Sequence, residues 1–319
     1  MYETSLAHIL AELQRLDLLL RVQAWRSRQG RAETGELAAF YIADAEADAL
    51  LDKAIGAPAW AGVTLPPDMR ASVQAELDEL ARDITEHAAE SLRLGVPLRL
   101  ARLAGLFGLS ALDRDVIVLC LAPELDRAYE RLYAYLHDDV TRRLPSIELA
   151  LHLFCPDLQA KVAARARFSP AGPLLRHHLV QLSEEPGQGP ASWPAQAVRL
   201  DPRVASFLLG GDEIDDRLQS CARVVSTAAG LDDLVLPAAL RGQLSRLAAH
   251  ARTAGPAADD AGIVLYLQGP NGAGQQAAAA AFGQALGRPL LVVAGKRLGT
   301  STLEELAAVA RLADREAGS

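Results

Sequence analysis

Ser110-Ala-Leu-Asp-Arg-Asp-Val-Ile-Val-Leu-Cys-Leu121 is the stretch on which the fold turns. Ser110, followed three residues later by Asp113, resembles a capping box with Asp in place of the usual Glu, and it opens a helix. The body Val116–Leu121 is almost wholly apolar, so this helix is expected to be buried on all sides. Such a helix needs neighbours all round, and the flanking sequence supplies them. Leu98–Phe107 reads as a short helix ended by Gly108. Pro123 reads as the first turn of another helix, where its missing N–H does no harm, with Leu125, Tyr129, Leu132, Tyr133 and Leu136 along it. A further helix, about Ser146–Phe154, follows Pro145. The Tyr and Leu stripes read as helix packing, not as a cofactor site.

Further on, Leu174-Leu-Arg-His-His-Leu-Val-Gln-Leu182 and Val198-Arg-Leu-Asp201 alternate around Leu179–Leu182 and Val198–Leu200. That alternation suggests two short strands, joined through the Gly/Pro loop Pro186–Pro194. An apolar helix near Val204–Leu209 closes the segment. Helices followed by a two-stranded wing describe a winged-helix domain, placed at residues 95–210. His177 and His178 are adjacent, and neighbours on a strand point to opposite faces, so they cannot share a metal. Asp138 with Asp139, and Asp215 with Asp216, read as solvated helix ends.

Upstream, Leu6, Ile9, Leu10, Leu13, Leu16, Leu19 and Leu20 form the stripe of an amphipathic helix, with Thr4 and Ser5 as candidate caps and Gly30 as a break. A second helix is expected over Glu36–Leu51 and a long polar one from about Pro67 to Leu94, with Met69, Val73, Leu77, Leu80 and Ile84 on one side. These make residues 1–94 a helical N-terminal domain. It is acidic: residues 1–90 hold 8 Lys/Arg against 16 Asp/Glu, while residues 91–205 hold 14 against 12. The whole chain carries a net charge of −8. A strongly basic footprint for nucleic acid is therefore missing. Three widely spaced cysteines, Cys120, Cys155 and Cys221, give neither a disulfide framework nor a metal site. No run approaches the ~18 apolar residues of a membrane helix. The expected compartment is a reducing cytoplasm.

Residues 211–319 read differently. Asp232–Pro237 precedes a helix from Ala238 to about Thr253. Ile263–Leu267 reads as a buried parallel strand, Gln275–Leu286 as an Ala-rich helix, Leu290–Val293 as a second buried strand and Thr302–Glu316 as a last helix. Between the first strand and its helix stands Gly269-Pro270-Asn271-Gly272-Ala273-Gly274-Gln275-Gln276. Glycines in that place let backbone N–H groups turn inward around a phosphate at a helix N-terminus. The pattern also asks for a Lys and a Ser or Thr. Gln275 and Gln276 occupy those two places. A neutral amide cannot replace an ammonium, and losing one charge-assisted hydrogen bond costs ~1.5–3 kcal/mol. ATP or ADP is thus expected to bind weakly if at all, with Mg²⁺ only alongside nucleotide, and no hydrolysis is expected. No acidic strand follows the second strand within the 319 residues, so these residues are expected to be half of a domain in a polypeptide that continues. The fold expected is mainly α: a helical N-terminal domain, a winged-helix domain and the beginning of a P-loop α/β domain.

Phe107–Asp126 and Tyr129–Pro145 resemble the winged-helix region of large bacterial AAA-family ATPases, and Asp232–Pro237 with the glycine loop resembles the start of their first AAA module. The likeness covers about residues 90–319. It implies a degenerate first module, an active second one further along, self-association through the AAA module, and for some members a place beside contractile injection systems as assembly or remodelling ATPases. On that resemblance the chain would recruit a partner or substrate protein through its winged-helix and acidic helical parts. The rival is a DNA-binding winged helix with a vestigial nucleotide domain. Its phosphate contacts would fall to Arg142, Arg143, Lys161, Arg165, Arg167 and Arg176.

Overall fold

Apolar stripes that no helix can cover alone decide which elements meet. The computed structural model describes residues 1–30, 63–183, 192–253, 265–270, 272–294 and 303–318. The expected helix at Glu36–Leu51 and most of the Pro186–Pro194 loop lie outside them. The chain divides into two compact units, Met1–Asp212 and Glu213–Ser319.

In the first unit, α1 (Ser5–Gly30) precedes α2 (Pro67–Arg93), α3 (Arg99–Phe107), α4 (Ala111–Leu125), α5 (Ala128–His137), α6 (Ile147–Phe154), α7 (Leu158–Ala164) and α8 (Pro173–Arg176). Strands β1 (Val180–Ser183) and β2 (Ala197–Leu200) follow, then α9 (Pro202–Leu208). The strands pair antiparallel, Val180 with Leu200 through Ser183 with Ala197. A single bridge from Ser146 to Ala197 adds a third edge to this wing. Gly108 ends α3 at φ 58°, in the left-handed region that suits glycine.

Helix α4 is the centre. Its capping box forms, with Ser110 Oγ accepting from the Asp113 amide at 3.3 Å and the Ser110 amide donating to Asp113 Oδ2 at 2.7 Å. Val116–Leu121 are each between 0% and 5% exposed. One expectation fails: Pro123 lies inside α4, and the next helix starts at Ala128. A proline within a helix leaves the carbonyl four residues back without its donor. That carbonyl belongs to Leu119, and the buried Tyr133 hydroxyl donates to it at 2.8 Å. The helix continues because its neighbour supplies the missing bond.

The boundary at 94/95 also moves. Ile9, Leu13, Leu16, Leu20 and Ala24 of α1 are buried in the same core as α4, α6 and the wing. Arg15 pairs with Asp115, and the Tyr129 hydroxyl donates to Asp17 at 2.6 Å. The stripe of α1 finds its cover on the winged helix, so the sequence's separate N-terminal domain is part of that unit. Leu6 and Leu10, expected in the stripe, are each 48% exposed.

The second unit holds β3 (Ala222–Val225), α10 (Ala238–Thr253), α11 (Gln275–Ala285), β4 (Leu290–Val293) and α12 (Leu303–Gly318). Strand β3 was not foreseen. It pairs antiparallel with β4, Ala222 with Val293 through Val225 with Leu290. This corrects the expected pair of buried parallel strands. Residues 265–267 form no strand, and Tyr266 is 86% exposed. A strand buried on both faces needs layers on both; here a two-stranded sheet packs its Leu291 with Leu218, Val309 and Leu312 in one small cluster. Asp215, expected in solvent, is 3% exposed. It accepts from Arg217 Nε at 2.9 Å and from Arg315 Nη2 at 2.5 Å. Burial opposes its charge, but these bonds hold its carboxyl below the usual range. Asp138, in contrast, is an exposed helix end at φ 54°.

Candidate functional site

The glycine loop enters α11 through two left-handed turns, Gly272 at φ 86° and Gly274 at φ 89°. Side chains rarely adopt that backbone, which accounts for glycine at both. Gly274 is the helix N-cap and brings no side-chain oxygen to it. The Ala273 amide donates to the Pro270 carbonyl at 3.1 Å. Gln275 turns back over the loop, and its Nε2 donates to the same carbonyl at 3.0 Å. A Cβ built on Gly269 would come within 3.0 Å of that nitrogen, so Gln275 lies directly against the Gly269 backbone. Gln276 is exposed, and Asn271 lies outside the described residues.

Two left-handed glycines therefore lead the chain into the N-terminus of α11. Between Gly269 and Gln276 the sequence offers neither a cation nor a hydroxyl, and the amide at the lysine position is turned inward. These residues do not fit a Mg²⁺–triphosphate, so no chemical step is derived through one. Among the described residues no group of three or more His, Cys, Asp or Glu forms a metal site.

In the winged-helix unit the basic candidates separate. Arg167 pairs with the fully buried Asp113 carboxylate, its Nε donating to Oδ1 at 2.9 Å. Asp113 therefore ties the start of α4 to the short turn Arg165–Phe168. The Arg165 guanidinium lies 4.0 Å from the centre of the Trp193 ring. Arg142 Nη2 donates to the Ala195 carbonyl at 2.6 Å, holding the base of the wing. Arg176 and Arg143 are exposed, while Lys161 is half-buried. His177 and His178 sit in the turn after α8 rather than on a strand, with His177 against Phe107 at 4.8 Å between rings.

Sequence reasoning missed two ties. Arg99 donates to the carbonyls of Phe207 at 3.0 Å and Gly211 at 3.2 Å, and pairs with Asp212 at 2.8 Å. His137 faces the Leu144 carbonyl at 3.1 Å. Burial, helped by Arg142, pushes its imidazole down to about 4, so the ring stays neutral at neutral pH. Neither tie carries a sequence signal, because each joins residues whose meeting depends on the fold.

A family model described as winged helix domain, variant, matches residues 1–222. The chain belongs to this family. The match takes in α1 and α2 with the wing, in agreement with the shared core. It ends before the glycine loop. No curated protein and no solved structure matches the chain. No helix among the described residues is long and apolar enough to cross a membrane.

Proposed function

We propose that this winged helix domain variant is a protein-docking, regulatory module, set ahead of a nucleotide-type loop that does not hydrolyse ATP. One observation carries the reading. Of the cations the sequence offers for phosphate, two are engaged inside the fold, Arg167 on Asp113 and Arg142 on the Ala195 carbonyl, and the exposed Arg165 is stacked on Trp193. Phosphate contact needs cations free to exchange their counterions, and Arg167 and Arg142 are held as internal ties.

The second part of the reading rests on the glycine loop. Its two left-handed glycines ahead of an Ala-rich helix resemble the phosphate loop of AAA-family ATPases. Gln275 and Gln276 make it the degenerate kind, a support for a motor elsewhere rather than a motor.

Two titrations on the full chain test this. Labelled duplex DNA at low and high salt is expected to show weak binding only. Labelled ATP with Mg²⁺ is expected to bind weakly and to show no turnover. A salt-steep DNA affinity lost in Arg165→Glu overturns the docking reading, and ATP turnover overturns the second part.

A further inference from the structure

His8 of α1 is 4% exposed, yet its ring makes no hydrogen bond among the described residues. Nδ1 has no partner, and Nε2 stands 3.8 Å from the Glu12 carboxylate. A neutral imidazole tolerates such a place far better than a charged one, because burial without full pairing costs a charge most. The Tyr2 ring lies against it, with ring centres 5.3 Å apart, and meets the His87 ring of α2 edge-on at 5.6 Å. The charged and titratable groups around this seam are Glu12 and Arg15 of α1, Asp83 and His87 of α2, and Arg114 and Asp115 of α4. Glu12 favours a proton on His8, but its Oε2 already accepts from Arg15 Nε at 3.2 Å. Burial outweighs Glu12, and Arg114 adds to burial, so the imidazole is held below its ordinary 6.5.

Tyr2 is in turn a catch on α2. Its amide donates to Ser91 Oγ at 2.6 Å, and that hydroxyl donates to the Tyr2 carbonyl at 3.0 Å. Of α2's 27 residues only Ile84 and Ser91 are buried, so this tie is half of the helix's buried anchorage. Thr4 caps α1 by accepting from the Ala7 amide at 3.1 Å, and Ser5 accepts from the Arg99 amide at 2.9 Å. The start of α1 is therefore pinned, and movement is left to Met1–Glu3.

We propose that His8 is an acid-operated latch on α2. A proton on the ring drives Tyr2 off it so that water reaches the charge. The Tyr2–Ser91 tie breaks with that movement and frees the C-terminal turns of α2, while the core around α4 stays closed. The closed state takes up the proton less readily than the open one, so its stability is complete above 6.5 and is lost on acidification. One unit below 6.5 the balance shifts by up to about tenfold toward the open state. The inference is independent of the docking and nucleotide readings.

Hydrogen–deuterium exchange of the full chain, read by mass spectrometry at pH 7.5 and pH 5.5 and referred to intrinsic exchange at each pH, tests it. Peptides covering residues 84–94 are expected to lose about tenfold in protection at the lower pH, whereas those covering Val116–Leu121 keep theirs. His8→Gln and His8→Phe take no proton and should hold protection at both pH values; His87→Gln should behave as the parent does. Circular dichroism at pH 7.5 establishes that each variant folds. In the unsubstituted chain the His8 ring proton, assigned through its proximity to the Tyr2 ring by NMR, should titrate below 6.5. Unchanged protection of residues 84–94 at pH 5.5 overturns the proposal. So does the same loss in the His8 variants, a loss abolished by His87→Gln, or a loss shared equally by Val116–Leu121. A His8 ring that titrates at or above 6.5 overturns it whether or not the variants fold.

Discussion

Pro123 withdraws one hydrogen bond from α4, and the Tyr133 hydroxyl replaces it on the Leu119 carbonyl at 2.8 Å. The pair is buried, so Tyr133→Phe leaves an acceptor with no partner and no water. That substitution is expected to cost about 1–3 kcal/mol, read as a lower urea midpoint with an unchanged slope. His137 gives a second test at this scale. Its imidazole titrates at about 4 in the folded chain against an ordinary 6.5. The unfolded chain therefore takes up the proton first as pH falls. Stability conferred by the neutral ring is complete above 6.5 and is lost on going down to about 4. The loss attributable to this group is up to about 3 kcal/mol. Unfolding midpoints measured between neutral pH and pH 4 should fall less steeply in His137→Gln than in the parent.

At the scale of elements, α1 shows what a stripe in the sequence can and cannot say. The spacing of Ile9, Leu13, Leu16 and Leu20 made the helix and its buried face legible, but nothing local named the partner. The partner is α4 and its neighbours, so the boundary at 94/95 was drawn through a continuous core. The same limit explains Pro123. Its local rule is sound for a helix start, and only Tyr133, from the next helix, makes an interior position tolerable. The wing was legible because period-two alternation shows in a few residues. In the second unit the strand Leu290–Val293 was legible but its partner was not, since it pairs with Ala222–Val225, far back in the chain, and residues 265–267 beside the glycine loop form no strand. Of the candidate site, the glycines and their helix were legible. The inward turn of Gln275 was not, because it depends on the distance to one carbonyl. The role of α1 is open to direct test. Leu16→Ala removes a side chain that is 2% exposed and should cost about 2–5 kcal/mol. Leu10→Ala, at a position 48% exposed, should stay within about 0.5 kcal/mol. Denaturant unfolding of the two variants compares them.

For the whole molecule, the acidic balance and the arginine ties point the same way. The net charge of −8 gives no long-range attraction for a polyanion, and the internal ties of Arg142 and Arg167 make fold-holding groups of two of the cations. Central to this account is that residues 1–212 form one cooperative unit in which α1 is part of the core. The most direct measurement is urea unfolding of residues 1–212 beside residues 95–212, followed by far-ultraviolet circular dichroism and tryptophan fluorescence. The account predicts one sharp, coincident transition for 1–212 and a broad or absent one for 95–212, whose core has lost Ile9, Leu13, Leu16 and Leu20. Residues 95–212 unfolding as sharply and at the same midpoint as 1–212 would contradict it.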